Sequence, residues 1–282
     1  EEYEFYLKDL NPKIVLVEKN SENPVVDVAK KLKIELCEIN PEKDGPSGIF
    51  NIYEKESEYS LPNENDEALV LHTSGTTSRP KIVPLTNKNI FSSAENISKS
   101  LNLSENDHCL NIMPLFHIHG LIAILASSMK AGASVCASNG FNAIKFLDIA
   151  KSEKITWYSG VPTMHQTILL RAHKNLEIAK GLELRLIRSS SASLPPAVFN
   201  DLNDVFSCPV IEAYGMTEAT HQMTSNPLPP KQQKAGFVGL PAGPEVCIMN
   251  ENGEVLKQGD EGEVCIKGEN VTLGYDNNEE AN

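Results

Sequence analysis

HTSGTTSRPK, residues 72–81, is a polar loop held between two apolar runs. Ala68-Leu69-Val70-Leu71 before it reads as a buried strand, and Ile82-Val83-Pro84-Leu85 after it as a second extended piece, so a strand delivers the loop to one edge of a sheet. Thr73, Ser74, Thr76 and Thr77 offer hydroxyls, Gly75 lets backbone N–H groups converge on an anion, and Lys81 adds a fixed positive charge. That inventory suits a triphosphate. An ordinary Ser/Thr-rich turn is the alternative, and the density of hydroxyls ending in Pro80-Lys81 argues against it. The Walker pattern is absent, because a proline precedes the lysine and Ile82 follows it.

The stretch resembles the phosphate loop of the adenylate-forming superfamily, the acyl-CoA synthetases, luciferases and peptide adenylation domains. Most members carry glycine where this chain has Ser78 and Ile82. TSGTTSRPK followed by VPLT is similar to the branch containing the oxalate–CoA ligases, relatives of 4-coumarate–CoA ligase. The resemblance implies a loop in which Thr73, Ser74, Gly75, Thr76, Thr77 and Lys81 hold ATP.

Three further segments carry it. PLFHIHG, residues 114–120, places two imidazoles at a strand-to-helix junction, where ligands of open α/β sheets bind. By resemblance His117 closes over the acyl-adenylate and His119 faces the acid. RSSSASL, residues 188–194, leaves a strand with small residues that expose backbone groups; a Ser-rich helix cap is the plain alternative. The resemblance puts Ser191, Ala192 and Ser193 along adenine, and the hydroxyls, where relatives have Gly and Ala, imply a more polar pocket.

EAYGMTEATH, residues 212–221, is the second strong motif, with VGLP of 238–241 downstream. The resemblance implies that Glu212, Ala213, Tyr214, Gly215 and Met216 line the nucleotide, with Tyr214 stacking on adenine. It gives Thr217 the phosphate and Glu218 a Mg²⁺ ion, roles that suit a hydroxyl and a hard carboxylate. His117, Thr217 and Glu218 are then the catalytic set. His221 is as readily a surface loop histidine from sequence alone, but the oxalate branch shows ATH at this place. His119, Ser191 and His221 are therefore the candidates to bind a small acid, with oxalate favoured.

Composition bounds these readings. The chain has 282 residues, 40% hydrophobic, 22% charged, enough for a sizeable core. Its net charge of -13 opposes nonspecific nucleic-acid binding, and no apolar run approaches the roughly 20 residues of a membrane span. Six scattered cysteines with no CxxC pair favour a reducing compartment.

Short apolar runs alternating with amphipathic stretches predict a doubly wound, mostly parallel α/β sheet over 1–223, the nucleotide- and acid-binding core. Strands are expected at 14–17, 34–39, 109–113, 133–137, 156–159, 184–188 and 210–213. Helices are expected at 25–32, 86–101, 121–130, 143–152, 163–173 and 196–206. From 224 to 282 hairpin-like pieces around Asn252-Gly253 predict the start of a small β-rich subdomain.

The resemblance implies the middle of a large N-terminal domain, with the ribose-gripping Asp, the mobile C-terminal lid and its adenylation Lys outside these residues. It implies ATP-dependent activation of an acid to acyl-AMP and then acyl-CoA, with ATP/AMP, Mg²⁺ and coenzyme A as partners. The segment alone is then expected to be at best a weak nucleotide binder; the alternatives are another acid–CoA ligase of the 4-coumarate–CoA ligase type and a noncatalytic nucleotide-binding module. Cytoplasmic or peroxisomal placement follows from relatives; the oligomeric state is open.

Overall fold

The computed structural model describes residues 1–42, 48–52, 60–73 and 80–282, in two compact units, Glu1–Leu61 and Pro62–Asn282. The first unit contains α1 (Glu2–Leu10), β1 (Ile14–Glu18), α2 (Val25–Leu32), β2 (Glu35–Pro41) and β3 (Phe50–Asn51). β1 and β2 pair in parallel and β3 joins β2 antiparallel.

The second unit begins with β4 (Glu67–His72) and β5 (Ile82–Thr86), which form a two-stranded antiparallel ribbon. The run at 68–71 was expected to be a buried strand that delivers the polar loop to one edge of a sheet. It is half-buried to exposed, because β5 is its one strand partner and one face alone packs inward, through Leu69 and Leu71. α3 (Asn87–Ser100) follows at once, started by a capping box in which Thr86 and Asn89 satisfy each other's backbone N–H groups.

A seven-stranded sheet forms the centre. Its strands are β6 (His108–Asn111), β7 (Ser134–Ala137), β8 (Trp157–Gly160), β9 (Leu186–Ser189), β10 (Val210–Met216), β11 (His221–Ser225) and β12 (Leu240–Pro241). The order is β12-β11-β10-β9-β8-β6-β7, parallel from β10 to β7, with β11 and β12 antiparallel at one edge. The chain leaves β6 for β7 on one side and returns to β8 on the other. That reversal opens a crevice beyond the carboxyl ends of β6 and β8.

The parallel strands are apolar on both faces because helices cover both. Leu110, Tyr158, Ile187 and Val210 pack against α5 (Ala143–Ser152), α6 (Pro162–Ala172), α7 (Leu176–Lys180) and α8 (Pro196–Phe206). Their neighbours Cys109, Trp157, Leu186 and Ile211 pack against α3 and a π-helix, His119–Ala126, continued by α4 (Ser127–Lys130). Truncating Leu110, 1% exposed, would remove about 2–5 kcal/mol.

The helix expected at 121–130 thus starts two residues earlier and winds wide. Gly120 lies against the Pro114 carbonyl so closely that a Cβ would sit 2.4 Å from that oxygen. This contact seats His119 at the sheet. Strand β10 runs three residues past its expected end, and β11 and α7 were not foreseen. The boundary read at 223/224 lies inside β11. Beyond it, β13 (Glu245–Met249) and β14 (Glu263–Lys267) make the expected antiparallel hairpin, with Cys247 opposite Cys265.

Candidate nucleotide and acid site

The carboxyl ends of β6, β8, β9 and β10 and the segments that follow them bring the sequence motifs together, all within the second unit. Ser159 and Gly160 end β8, Arg188 and Ser189 end β9, and the π-helix after β6 carries His119. Ser159 and Arg188 are cross-strand partners in the β8–β9 register, so both side chains lie on one face of the sheet.

His119 is fully buried, with Nε2 2.6 Å from Ser159 Oγ and Nδ1 3.0 Å from Ser191 Oγ. The His221 ring lies 5.0 Å from it, centroid to centroid. Burial pushes both imidazoles well below the usual histidine range, and the Arg188 guanidinium pushes further the same way. Both rings are neutral at physiological pH. Ser191 is exposed and holds φ 70°, a conformation that suits glycine and is strained for serine. His117 is half-buried, and its Nδ1 accepts the His119 backbone N–H at 3.1 Å; burial lowers its pKa too.

His221 reaches this cluster through an unusual corner. β10 and β11 slip register between Tyr214 and Gly215, and Thr220 and His221 take φ values of 49° and 92°. Gly215 permits the crossing: a Cβ there would stand 1.6 Å from the His221 carbonyl oxygen. Tyr214 is 37% exposed, a face open to a ligand. Thr217 and Glu218 form a single 3₁₀ turn, Thr217–Ala219.

The Glu218 carboxylate accepts the Tyr275 hydroxyl at 2.7 Å, and Lys81 Nζ stands 4.4 Å over the same ring. Burial, then Glu218, raise the Tyr275 phenol to about 12. Thr73 Oγ1 accepts the Lys81 N–H at 3.0 Å, closing the neck of the polar loop. Ser74, Gly75, Thr76 and Thr77 lie outside the described residues. Ala192 and Ser193 are exposed beside Ser191, and Met216 is half-buried. Ala213 is buried and its carbonyl accepts from Ser190. Glu212 faces elsewhere: its carboxylate accepts the Gly236 N–H at 2.9 Å and anchors that loop.

Over residues 1–276 the chain matches the sequence profile of the AMP-binding enzymes. The chain belongs to the AMP-binding enzyme family. Within that family it is 47% identical over 292 aligned residues to an oxalate–CoA ligase of Arabidopsis thaliana and 40% identical over 307 to one of Saccharomyces cerevisiae. All of this chain is aligned in both cases, with 56% of each relative. The chain therefore spans little over half the length of these AMP-binding relatives. The crystal structure of ATP-bound MatB from Rhodopseudomonas palustris superposes with a TM-score of 0.85 at 27% identity, over 99% of this chain and 55% of that one. The adenylate-forming architecture expected from the motifs is thus present.

Four residues of the site were not singled out from sequence. Arg188, Ser159 and Gln222 support the two buried histidines, and Tyr275 holds Glu218. The run Leu184–Arg188 carries two arginines, Arg185 within it and Arg188 at its end, and sequence alone did not tell the buried one from the half-buried Arg185 that pairs with Asp107. Ser159, Gln222 and Tyr275 carried no local signal.

Proposed function

We propose that the whole protein to which this chain belongs is an acid–CoA ligase that activates a small carboxylic acid, oxalate in the first place, through an acyl-adenylate. In the first step a carboxylate oxygen bonds the α-phosphorus of ATP and the bond to pyrophosphate breaks. In the second, the CoA thiol sulfur bonds the acyl carbon, its proton leaves, and AMP departs with the electron pair of the cleaved bond. Neither step needs a nucleophilic side chain; both need charge neutralisation and alignment.

One observation carries the substrate reading. The wall formed by His119, Ser191 and His221 is polar and neutral, with two serine hydroxyls on the two nitrogens of a wholly buried imidazole. Buried polar groups left without a partner are costly, so a site built this way favours an acid that supplies oxygens in place of an alkyl or aryl tail. The names of the two oxalate–CoA ligase relatives agree with that reading.

Thr73, Lys81 and the loop between them take the phosphates, and Tyr214 takes the adenine face. Ser191–Ser193 and residues 213–217 line the nucleotide, and Thr217 bonds a phosphoryl oxygen. His117 closes over the acyl-adenylate. Glu218 fits a Mg²⁺ ion, which takes one or two hard carboxylates and completes its shell with water and phosphate. Among the described residues no cluster of three ligand-type side chains would compete to form an all-protein metal cage. The ion supplies neutralisation of phosphate charge; this chain's Tyr275 holds Glu218 in place for it.

The segment of 282 residues alone binds nucleotide weakly. Cytosolic or peroxisomal placement accompanies this reading; no described helix is long and apolar enough to cross a membrane.

The test is steady-state AMP formation by the full-length protein with CoA and a panel of acids. Oxalate should give the highest kcat/KM, and His221→Ala should raise its KM about tenfold or more, the scale of one hydrogen bond to a charged group. A preference for hydrophobic acids, or an unchanged KM for oxalate in the variant, would reject the substrate assignment.

A further inference from the structure

The row Asn111–Ser159–Arg188–Ile211 crosses the middle of the central sheet, and Arg188 in it is fully buried. Among the described residues no carboxylate lies within ion-pair reach of its guanidinium. Its contacts are all neutral: Gln222 Oε1 at 3.2 Å, His221 Nδ1 at 3.4 Å and Ser159 Oγ at 3.5 Å. Nε is buried with no hydrogen-bond partner among the described residues. Burial draws the group down to about 9, which leaves it a cation at neutral pH. A buried charge without a counter-charge is strongly destabilising, so the fold carries a positive charge here that wants an anion.

Proton directions follow because arginine only donates. The Nη2–H toward His221 Nδ1 requires that nitrogen to be bare, so the neutral ring carries its proton on Nε2. Nε2 has no partner among the described residues. Gln222 is turned to receive the guanidinium because its Nε2 donates to the Ala242 carbonyl at 3.0 Å. On the other branch Ser159 Oγ accepts from Nη1 and gives its own hydrogen to His119 Nε2. His119 then carries its proton on Nδ1 and donates it to Ser191 Oγ, and exposed Ser191 keeps a hydroxyl hydrogen to give outward. One buried cation thus ends in two neutral donors, Ser191 O–H and His221 Nε2–H.

We propose that Arg188 is a positioning residue that fixes the tautomers of His119 and His221 and supplies the charge for which the acid's second, non-reacting anionic group is the partner, so that the site selects small dianionic acids over monoanionic ones. The proposal rests on the acid-ligase reading of this site and adds the residue and the charge rule behind its selectivity.

The experiment compares oxalate with oxamate, a monoanion of nearly the same shape, in the full-length protein and its Arg188→Met and Arg188→Lys variants. The wild type should prefer oxalate in kcat/KM. Arg188→Met should erase about 50-fold of that preference, the scale of one charge–charge interaction at roughly 7 Å in a protein interior, with AMP affinity unchanged. Arg188→Lys, which keeps the charge without the planar fork, should retain most of the preference while lowering kcat/KM for both acids. In ¹⁵N-histidine spectra the wild type should show one Nδ1–H and one Nε2–H neutral ring for His119 and His221, and Arg188→Met should lose that fixed pair.

A wild type that activates oxalate while Arg188→Met keeps the full preference and both tautomers overturns the role of Arg188 alone. A wild type that activates no dianionic acid overturns the underlying reading and the proposal with it. Should Arg188→Met fail to bind AMP, Arg188→Lys decides: kinetics and imidazole spectra identical to the wild type would reject the positioning role.

Discussion

Ser191 shows at the scale of one residue how a hydroxyl proposed to bind the acid is held against backbone preference. Its φ of 70° costs about 1 kcal/mol for a residue with a Cβ, and the hydroxyl is kept there facing His119 Nδ1 at 3.0 Å. Ser191→Gly should therefore leave the melting temperature unchanged or raise it, while KM for oxalate rises about tenfold. Thermal melts and acid titrations of the full-length variant check both halves. His165 offers a second residue-scale test: burial holds it down to about 4, against an upward pull from the Gly160 and Arg188 backbone, and Tyr158 OH lies 3.2 Å from Nδ1. A histidine with a depressed folded pKa contributes stability that is present above the unfolded value of 6.5 and lost as pH falls toward 4. The loss amounts to about 3 kcal/mol over that window. Urea unfolding of His165→Phe should show a pH 7 to pH 4 decline smaller by about that amount than the wild type's. His119 and His221 act in the same direction and remain in both proteins.

At the scale of elements, the β10–β11 corner is where sequence and structure part most clearly. Val210–Ala213 announces a strand by its apolar run, and that much was legible. His-Gln-Met-Thr-Ser at 221–225 has no apolar alternation, yet every residue of β11 is buried, because its polar groups pair inside the unit: Gln222 with Arg188, Ser100 and Ala242, Thr224 with Val238. Burial by hydrogen bonding leaves no hydrophobic period to read. The early start of the π-helix was hidden for a related reason, since a close approach of Gly120 to the Pro114 carbonyl is a tertiary fact. The motifs that name chemistry, PLFHIHG, RSSSASL and EAYGMTE, were legible because each sits where a strand ends. The residues behind them were not, because Ser159 and Gln222 gain meaning only through register. Gly215→Ala tests the corner. Its Cβ meets the His221 carbonyl, so the crossing must open, at a cost of about 3 kcal/mol or more, with Tyr214 and His221 displaced. Calorimetry and AMP titration should both record the damage; a variant that melts and binds like the wild type would show that the corner is not rigid.

Across the whole molecule, the second unit puts its charge where the global field does not. A net charge of -13 gives no general attraction for anions, and Lys81 at the neck of the polar loop and Arg188 within the sheet are local positive charges set against it. Lys81, Tyr275 and Glu218 form one chain of contacts from the loop neck to the carboxylate, while His221, Arg188, Ser159, His119 and Ser191 form another. The motifs reported the first chain except for Tyr275; the second needed the β8–β9 register to be seen.

Oxalate-dependent exchange of labelled pyrophosphate into ATP tests the central claim most directly, because it isolates adenylate formation from thiol transfer. The account predicts rapid exchange with oxalate in the full-length protein, slow exchange with long-chain or aromatic acids, and little in residues 1–282 alone. Exchange with a hydrophobic acid and none with oxalate would contradict the polar pocket, and no exchange with any acid would contradict the adenylating function itself.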